Sequence, residues 1–497
     1  MTTLLIAAAT AAAITASLRW LRIAQREHYQ PGSVTRFAIR WWRSSGINVL
    51  LVLAALVAAV GVWWVDWLGW LGMAAVVGPR GLSIRGRSST LSWTSRLRRL
   101  AIAVAVLVAA LVGAGVSNDQ PGWAVTALVG LPMIVDAALA MLRPIERILG
   151  DKWVDLARSR LAASGARVVA ITGSYGKTTT KGYLGHLLSG SFRTMVTPAS
   201  FNNRMGLARA INEHLAPGIA VFVAEMGTYG PGEIADLCSF VPPEIGVITA
   251  IGPVHLERFG SIEAIVAAKR EILAQTRVAV INVDDELLAK VADEEARQRK
   301  VVRVSALDTT ADVSVVGHTL RIGPTEYGPV GAEVFAANLA CAVGAAVELG
   351  VPPHEVVRRL DDLPVAPHRR QIATSEGGIV IIDDTYNSNP EGAAAALARL
   401  LAVPGNGRKA VVTPGMVEMG DRQDEENQGF ARLAARQVTD LVVVGRTNRT
   451  ALLRGAATAK ATVTVVPSRA EAVNWVRSHL GPGDAVLYEN DLPDHYP

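Results

Sequence analysis

Val168-Val-Ala-Ile-Thr-Gly-Ser-Tyr-Gly-Lys-Thr-Thr179 runs from a short β-branched strand through a glycine-spaced turn towards a helix. Backbone N–H groups of such a turn, together with the N-terminus of the helix that follows, form a cradle for phosphate groups. Lys177 is placed to meet the β- and γ-phosphates of a nucleotide, and the Thr178 hydroxyl to ligate Mg²⁺. The full phosphate-loop pattern asks for glycine where Ile171 stands, so a bare Gly-Lys-Thr turn at a strand end is the competing reading.

Downstream, apolar runs at Ala220 to Glu225, Ile245 to Thr249 and Val278 to Val283 alternate with helical patterns, which predicts an α/β domain with a mostly parallel sheet. A second series begins near Gly378, with runs at Ile379 to Asp384, Ala410 to Thr413, Leu441 to Gly445, Thr462 to Val466 and Ala485 to Tyr488. One helix fits between each pair, as in a doubly wound, Rossmann-like unit. Pro364, Pro367, Arg369 and Arg370 mark the segment from Leu363 to Gln371 as the hinge. The expected division is therefore 1–150, 151–366 and 367–497.

Upstream, composition changes. The 497 residues carry 49 Lys and Arg against 44 Asp and Glu, but residues 1–150 hold no lysine and only Glu27, Asp66, Asp119, Asp136 and Glu146 as acids. Arginine clusters sit between apolar runs and not along one soluble face, which argues for membrane topology over nucleic-acid binding. Nine of the eleven tryptophans lie at or before Trp123, as expected of interfacial belts. The run Thr3 to Leu18, followed by Arg19, Arg22 and Arg26, predicts a span with its C-terminal end inside, although a cleaved signal peptide is an alternative. Ile47 to Gly78 predicts a hairpin of two spans or one tilted span, and Leu100 to Val116 and Trp123 to Met141 predict two more. Five spans leave the following domains on the cytoplasmic face of a multi-pass cell-membrane protein. Asp136 is either a functional intramembrane carboxylate or a packing group. Cys238 and Cys341 alone form neither a disulfide framework nor a four-thiolate zinc site.

Other residues converge on the phosphate loop. Glu225 ends an apolar strand where ligands bind in parallel sheets, and His255 and Glu257 follow the strand ending at Thr249. Lys269 lies on the apolar face made by Ile262, Ile265, Val266, Ile272 and Leu273, where a cation needs a partner, a function or a stem that reaches solvent.

Over about residues 165 to 490 the chain resembles the Mur ligases, the ATP-dependent enzymes that build peptidoglycan stem peptides, and among them the D-alanyl-D-alanine-adding branch. The resemblance rests on the Ile171 to Thr179 loop, Asn202-Asn203 with Gly206, Ala224-Glu225-Met-Gly with Pro231-Gly-Glu-Ile, and His255-Leu-Glu-Arg-Phe-Gly-Ser. It continues through Ala268-Lys269-Arg-Glu-Ile, Asn338, Asp383-Asp-Thr-Tyr-Asn-Ser-Asn-Pro390 and Gly415-Met-Val-Glu-Met-Gly420. It implies nucleotide contacts from Gly173, Ser174, Tyr175, Gly176, Lys177, Thr178, Thr179, Asn338, Arg369, Asp384, Tyr386 and Asn387. It implies catalytic roles for Lys177, Asn203, His255, Lys269 and Arg369. Two Mg²⁺ ions would be held by Thr178, Glu225, His255 and a carbamylated Lys269.

The implied reaction joins an envelope-precursor carboxylate to an amino-acid or dipeptide amine through an acyl phosphate, with ATP consumed and no nucleic acid involved. The sequence departs from the family where spans replace a soluble uridine-nucleotide domain, at Val334-Phe335 where a His-Asn pair is usual, and at Tyr488-Glu-Asn where Lys-Gly-Ser is usual. A P-loop NTPase coupled to transport through the spans is the alternative function.

Overall fold

A computed structural model describes residues 2–82, 91–254, 256–331, 334–364, 371–375, 377–385, 389–492 and 496. The chain forms two compact units, one made essentially of the residues up to Leu149 and the other of those from Gly150 on.

The first unit is helical: α1 Thr2–Arg26, α2 Ser33–Trp42, α3 Gly46–Gly61, α4 Ala74–Val77, α5 Ser95–Ser117, α6 Gly122–Val129 and α7 Leu131–Ser164, which continues into the second unit. Among the described residues, α1 and α5 are each long and apolar enough to cross a membrane. The count reaches four only if α2 with α3 (bent by 120°) and α6 with α7 (bent by 76°) each serve as one span.

Two expectations change here. Residues 47–78 do double back, since Asn48 Oδ1 accepts from Arg80 N at 2.8 Å, but the returning arm is a 3₁₀ helix, Asp66–Met73, running into α4. With three residues per turn, Gly69 and Gly72 share one face. A Cβ on Gly69 would lie 2.6 Å from Leu5, and one on Gly72 would lie 3.0 Å from Val125, so the tighter helix lets its backbone approach its neighbours. The run Trp123 to Met141 is not one straight helix either. It breaks at Gly130, one residue ahead of α7, whose second residue is Pro132. Asp136 is a packing group: its carboxylate accepts from Val34 N (3.2 Å) and Thr35 N (2.8 Å), neutralising the start of α2.

The second unit carries two sheets. The larger comprises β1 Arg167–Thr172, β2 Thr194–Val196, β3 Val221–Glu225, β4 Ile245–Ile248, β5 Val278–Asn282, β6 Lys300–Ser305, β7 Val313–Val316, β8 Thr319–Ile322 and β9 Thr325–Pro329. Its order is β2-β3-β1-β4-β5-β6-β7-β8-β9, parallel as far as β7 and antiparallel through β8 and β9. Alternation along β1 sorts its side chains between two cores. Val168 and Ala170 face α9 (Arg204–His214), α10 (Glu233–Phe240), α12 (Ile262–Arg270) and α13 (Glu286–Glu295). Val169 and Ile171 face α8 (Lys177–Leu188), α14 (Ala336–Glu348) and α15 (Pro353–Val357). A short α11, Leu256–Phe259, precedes α12.

The smaller sheet comprises β10 Gln371–Thr374, β11 Val380–Asp384, β12 Lys409–Thr413, β13 Asp440–Val444, β14 Thr462–Val466 and β15 Ala485–Glu489, in the order β10-β11-β15-β12-β13-β14. Only β10 is antiparallel. Helices α16 Pro390–Ala402, α17 Gln423–Ala435 and α18 Arg449–Ala456 cover one face, and α19 Arg469–His479 the other. The connections after β11, β12 and β13 run in one direction over one face, and the return after β14 crosses the other face to insert β15 between β11 and β12.

Candidate active site

The loop from Gly173 to Gly176 links the carboxyl end of β1 to the N-terminus of α8. Gly176 caps α8 at φ 82°, and a Cβ there would lie 2.3 Å from Asn338 Oδ1 on α14. Only glycine fits both the backbone angle and the space. The loop is pinned from β4: Thr249 Oγ1 donates to Tyr175 O (2.6 Å), Ser174 N donates to Ala250 O (2.8 Å), and Tyr175 OH donates to Ile251 O (2.9 Å). Lys177 Nζ lies over the loop, donating to Gly173 O (2.7 Å) and Ser174 O (3.2 Å).

Glu225 projects from the end of β3 beneath the first turn of α8. Thr178 Oγ1 donates to its Oε2 at 3.1 Å, Lys181 Nζ lies 3.0 Å from the same oxygen, and Asn202 Nδ2 donates to Oε1 at 3.1 Å. Lys181 also donates to Ala199 O (2.7 Å), so one buried ammonium ties the 199–202 loop to the carboxylate. Burial alone would raise the Glu225 pKa; the charges of Lys181 and Lys177 and the hydrogen bonds from Lys181 and Asn202 outweigh it and hold the group below its ordinary range. Glu225 is thus a buried anion.

Lys269, near the C-terminal end of α12, is buried, with no hydrogen bond or ion pair among the described residues. Burial first, and then the charge of Lys177, push its pKa well down. That direction favours the neutral amine, which is the nucleophilic form of a lysine. No group of three or more His, Cys, Asp or Glu side chains suited to a metal exists among the described residues. The hard oxygens at the loop are Thr178 and Glu225.

Beside the loop a cavity of about 480 Å³ opens between the two α/β domains, lined by Tyr175, Gly176, Asn282, Asp284, Phe335 and Asn338 on one side and Asn389 and Glu391 on the other. Tyr175 meets Glu391 there, and burial, with the Glu391 carboxylate, raises the phenol pKa. The expected nucleotide contacts Gly173, Ser174, Tyr175, Gly176, Lys177, Thr178 and Asn338 thus surround one loop, and Thr179 is buried in α8.

Asn203, expected among the catalytic residues, instead caps α9, accepting from Gly206 N at 2.9 Å; its neighbour Asn202 is the one that reaches Glu225. Asp384 is buried at the end of β11 opposite Glu489. His255, Arg369, Tyr386 and Asn387 lie outside the described residues. Lys181 and Asn202 were not among the expected site residues. The spacing held a signal for the first: positions 178 and 181 share a helix face.

Residues 171–322 match the family profile of the Mur ligase middle domain, and residues 368–488 that of the Mur ligase glutamate ligase domain. The UDP-N-acetylmuramoyl-tripeptide–D-alanyl-D-alanine ligase of Mycobacterium leprae is 33% identical over 376 residues, covering 66% of this chain and 72% of the relative. Among solved structures, MurF from Acinetobacter baumannii superposes with a TM-score of 0.60 at 28% identity, covering 69% of this chain and 78% of that one. MurF from Thermotoga maritima, solved in complex with ADP, gives 0.56 at 26% identity, covering 69% and 80%. A phosphate loop over a buried glutamate, two α/β domains in this order and this degree of identity agree, and the chain belongs to the Mur ligase family of ATP-dependent peptide ligases.

Proposed function

We propose that the protein is a membrane-anchored carboxylate–amine ligase that extends a peptidoglycan or related envelope precursor, with D-alanyl-D-alanine as the amine. The observation that carries the chemistry is the convergence of Lys177, Thr178 and Glu225 on one loop, with Lys269 close enough for its charge to act on Lys177. The amine is the one named in the activity of the Mycobacterium leprae relative, and the anchoring follows the apolar helices α1 and α5.

In the proposed reaction the acceptor carboxylate attacks the γ-phosphorus of ATP, ADP leaves, and an acyl phosphate forms. The amine then adds to the acyl carbon, a proton is lost from nitrogen, and phosphate departs to leave the amide. Lys177 balances charge on the transferred phosphoryl group from its place on the loop. Backbone N–H groups at the start of α8 hold the phosphates.

The donor set fits Mg²⁺: Thr178 and Glu225 supply the hard oxygens that ion prefers, and CO₂ added to the buried Lys269 amine would supply another anion. When bound, such ions neutralise charge on the phosphoryl oxygens. Keeping Glu225 ionised and aimed is the work of Lys181 and Asn202.

An acceptor carried on a lipid is the reading that gives the apolar unit a role in catalysis. The test supplies the bilayer-reconstituted protein with ATP, Mg²⁺, D-alanyl-D-alanine and either a lipid-linked or a uridine-linked muropeptide. ADP release that requires both acceptor and amine supports the ligase, and faster turnover of the lipid-linked acceptor supports the lipid reading. ADP release that ignores the amine would overturn both.

A further inference from the structure

The cavity beside the phosphate loop is lined unevenly. Next to the loop, Gly176 and Asn338 stand against each other. The turn after β6 and the start of α14 contribute only apolar side chains: Ala306 and Leu307 from the first, and Val334, Phe335, Ala336 and Ala337 from the second. Leu307 is large and apolar, yet 75% exposed. Its turn is fixed: Ser305 Oγ accepts from Leu307 N (2.9 Å) and Asp308 N (2.7 Å) and donates to Asp284, whose other oxygen accepts from Ala306 N (2.9 Å). Phe335 is packed against the core shared by α8 and α14, and its N–H donates to Tyr183 OH at 3.3 Å.

The polar side chains of the lining serve the protein itself. Asn282 Nδ2 donates to Thr249 O (3.0 Å), and its Oδ1 accepts from Asp284 N (3.2 Å). Asp285 Oδ1 caps α13, accepting from Leu287 N (2.9 Å) and Leu288 N (3.1 Å). At the N-cap of α14, Phe335 supplies no acceptor, so the N–H groups of the first turn are left without a capping side chain. Purines carry ring-nitrogen acceptors whatever their exocyclic group. The sequence departs from the family at this place, where Val334-Phe335 stands for the usual His-Asn pair and two apolar side chains replace two that hydrogen-bond.

Resting on the reading that a nucleotide places its phosphates on the Gly173 to Thr178 loop, we propose that its base stacks between Leu307 and Phe335 and is read by shape, not by its exocyclic group. Inosine and guanosine triphosphates then serve as well as ATP. A site built to hydrogen-bond one analogue rejects the other by about 10⁴-fold or more, whereas an apolar slot discriminates by only about 10- to 200-fold.

The test is calorimetric titration of the full-length protein in detergent and Mg²⁺ with ADP, IDP, GDP and inorganic pyrophosphate. IDP and GDP should bind within about 200-fold of ADP. Phe335→Ala should weaken all three by about 10- to 100-fold, the size of one base stacked on an aromatic ring, and leave pyrophosphate affinity unchanged. Leu307→Ser should weaken the same three and spare pyrophosphate; because this side chain is exposed, the variant keeps the test decisive if Phe335→Ala fails to fold. Discrimination beyond 200-fold, or ADP affinity unmoved by Leu307→Ser and by a folded Phe335→Ala, would overturn the proposal. Binding of neither ADP nor pyrophosphate would remove the nucleotide reading and the proposal with it. ADP release that ignores the amine would count against the ligase alone and leave these binding constants standing.

Discussion

Lys181 and Glu225 form a buried ion pair in which neither charge has solvent to fall back on. Removing one partner of such a pair costs about 3–5 kcal/mol, because the remaining charge is left uncompensated. Lys181→Met should therefore lower stability by that order and let burial raise the Glu225 pKa. The acid limb of the kcat/KM profile should move to higher pH, and more Mg²⁺ should be needed for half-maximal rate. Lys181→Arg, which keeps the charge, should recover part of each effect. A Met variant with an unmoved pH profile would reduce Lys181 to scaffolding.

Lys269 makes the complementary case: burial disfavours its cation and Lys177 repels it, so the amine is held neutral, and as a carbamate it would be attracted by the Lys177 charge. Lys269→Ala should abolish turnover with the fold retained by circular dichroism, and acetate should restore part of the rate. Full activity in the variant would show that the amine needs no carbamate.

At the scale of elements, the strand ends of the C-terminal sheet hold a second buried acid. Glu489 closes β15 opposite Asp384 of β11, and its Oε2 accepts a short hydrogen bond from the Thr413 hydroxyl at the end of β12. Burial and, after it, the Asp384 carboxylate raise the Glu489 pKa to about 8, against an opposing contribution from Thr413. Between the ordinary value of 4.5 and about 8 the folded state holds a proton that the unfolded state has lost, so the domain loses stability as pH rises through that window. Glu489→Gln mimics the protonated form. Its Tm advantage over wild type should be small at pH near 4.5 and should grow up to about 8, and an advantage that shrinks with pH would contradict the assignment.

Elements also differed in how well they could be read from the sequence. The β-branched runs placed β1, β3, β4, β5 and β11 to β15 within a residue or so, because strands of a sheet covered on both faces are rich in β-branched apolar residues, the partly exposed edge strand β14 included. The extension through β7, β8 and β9 was not legible: Thr325–Pro329 is largely exposed and lacks that signal. The helix expected from Ser261 to Gln275 is α12 followed by a 3₁₀ turn, Glu271–Leu273, with Ser261 as its cap.

At the scale of the molecule, charge and hydropathy marked the boundary near residue 150, but they could not reveal how the apolar runs bend. The breaks at Gly130 and between α2 and α3, and the 3₁₀ arm through Gly69 and Gly72, depend on close packing that hydropathy does not encode. The site was legible where one segment holds several of its groups, as in Gly173 to Thr178. Glu225 was legible because it ends an apolar strand, whereas Asn202 lies in a loop with no such pattern, and its contact with Glu225 shows only in the fold.

If ATP activates a carboxylate, the path of a single oxygen atom reveals it. With the acceptor carboxylate enriched in ¹⁸O, turnover with ATP and the amine should transfer one labelled oxygen into each phosphate released, since the carboxylate oxygen bound to phosphorus leaves with it. Released phosphate without label would mean that water, and not the acceptor, attacks ATP, and would contradict the account.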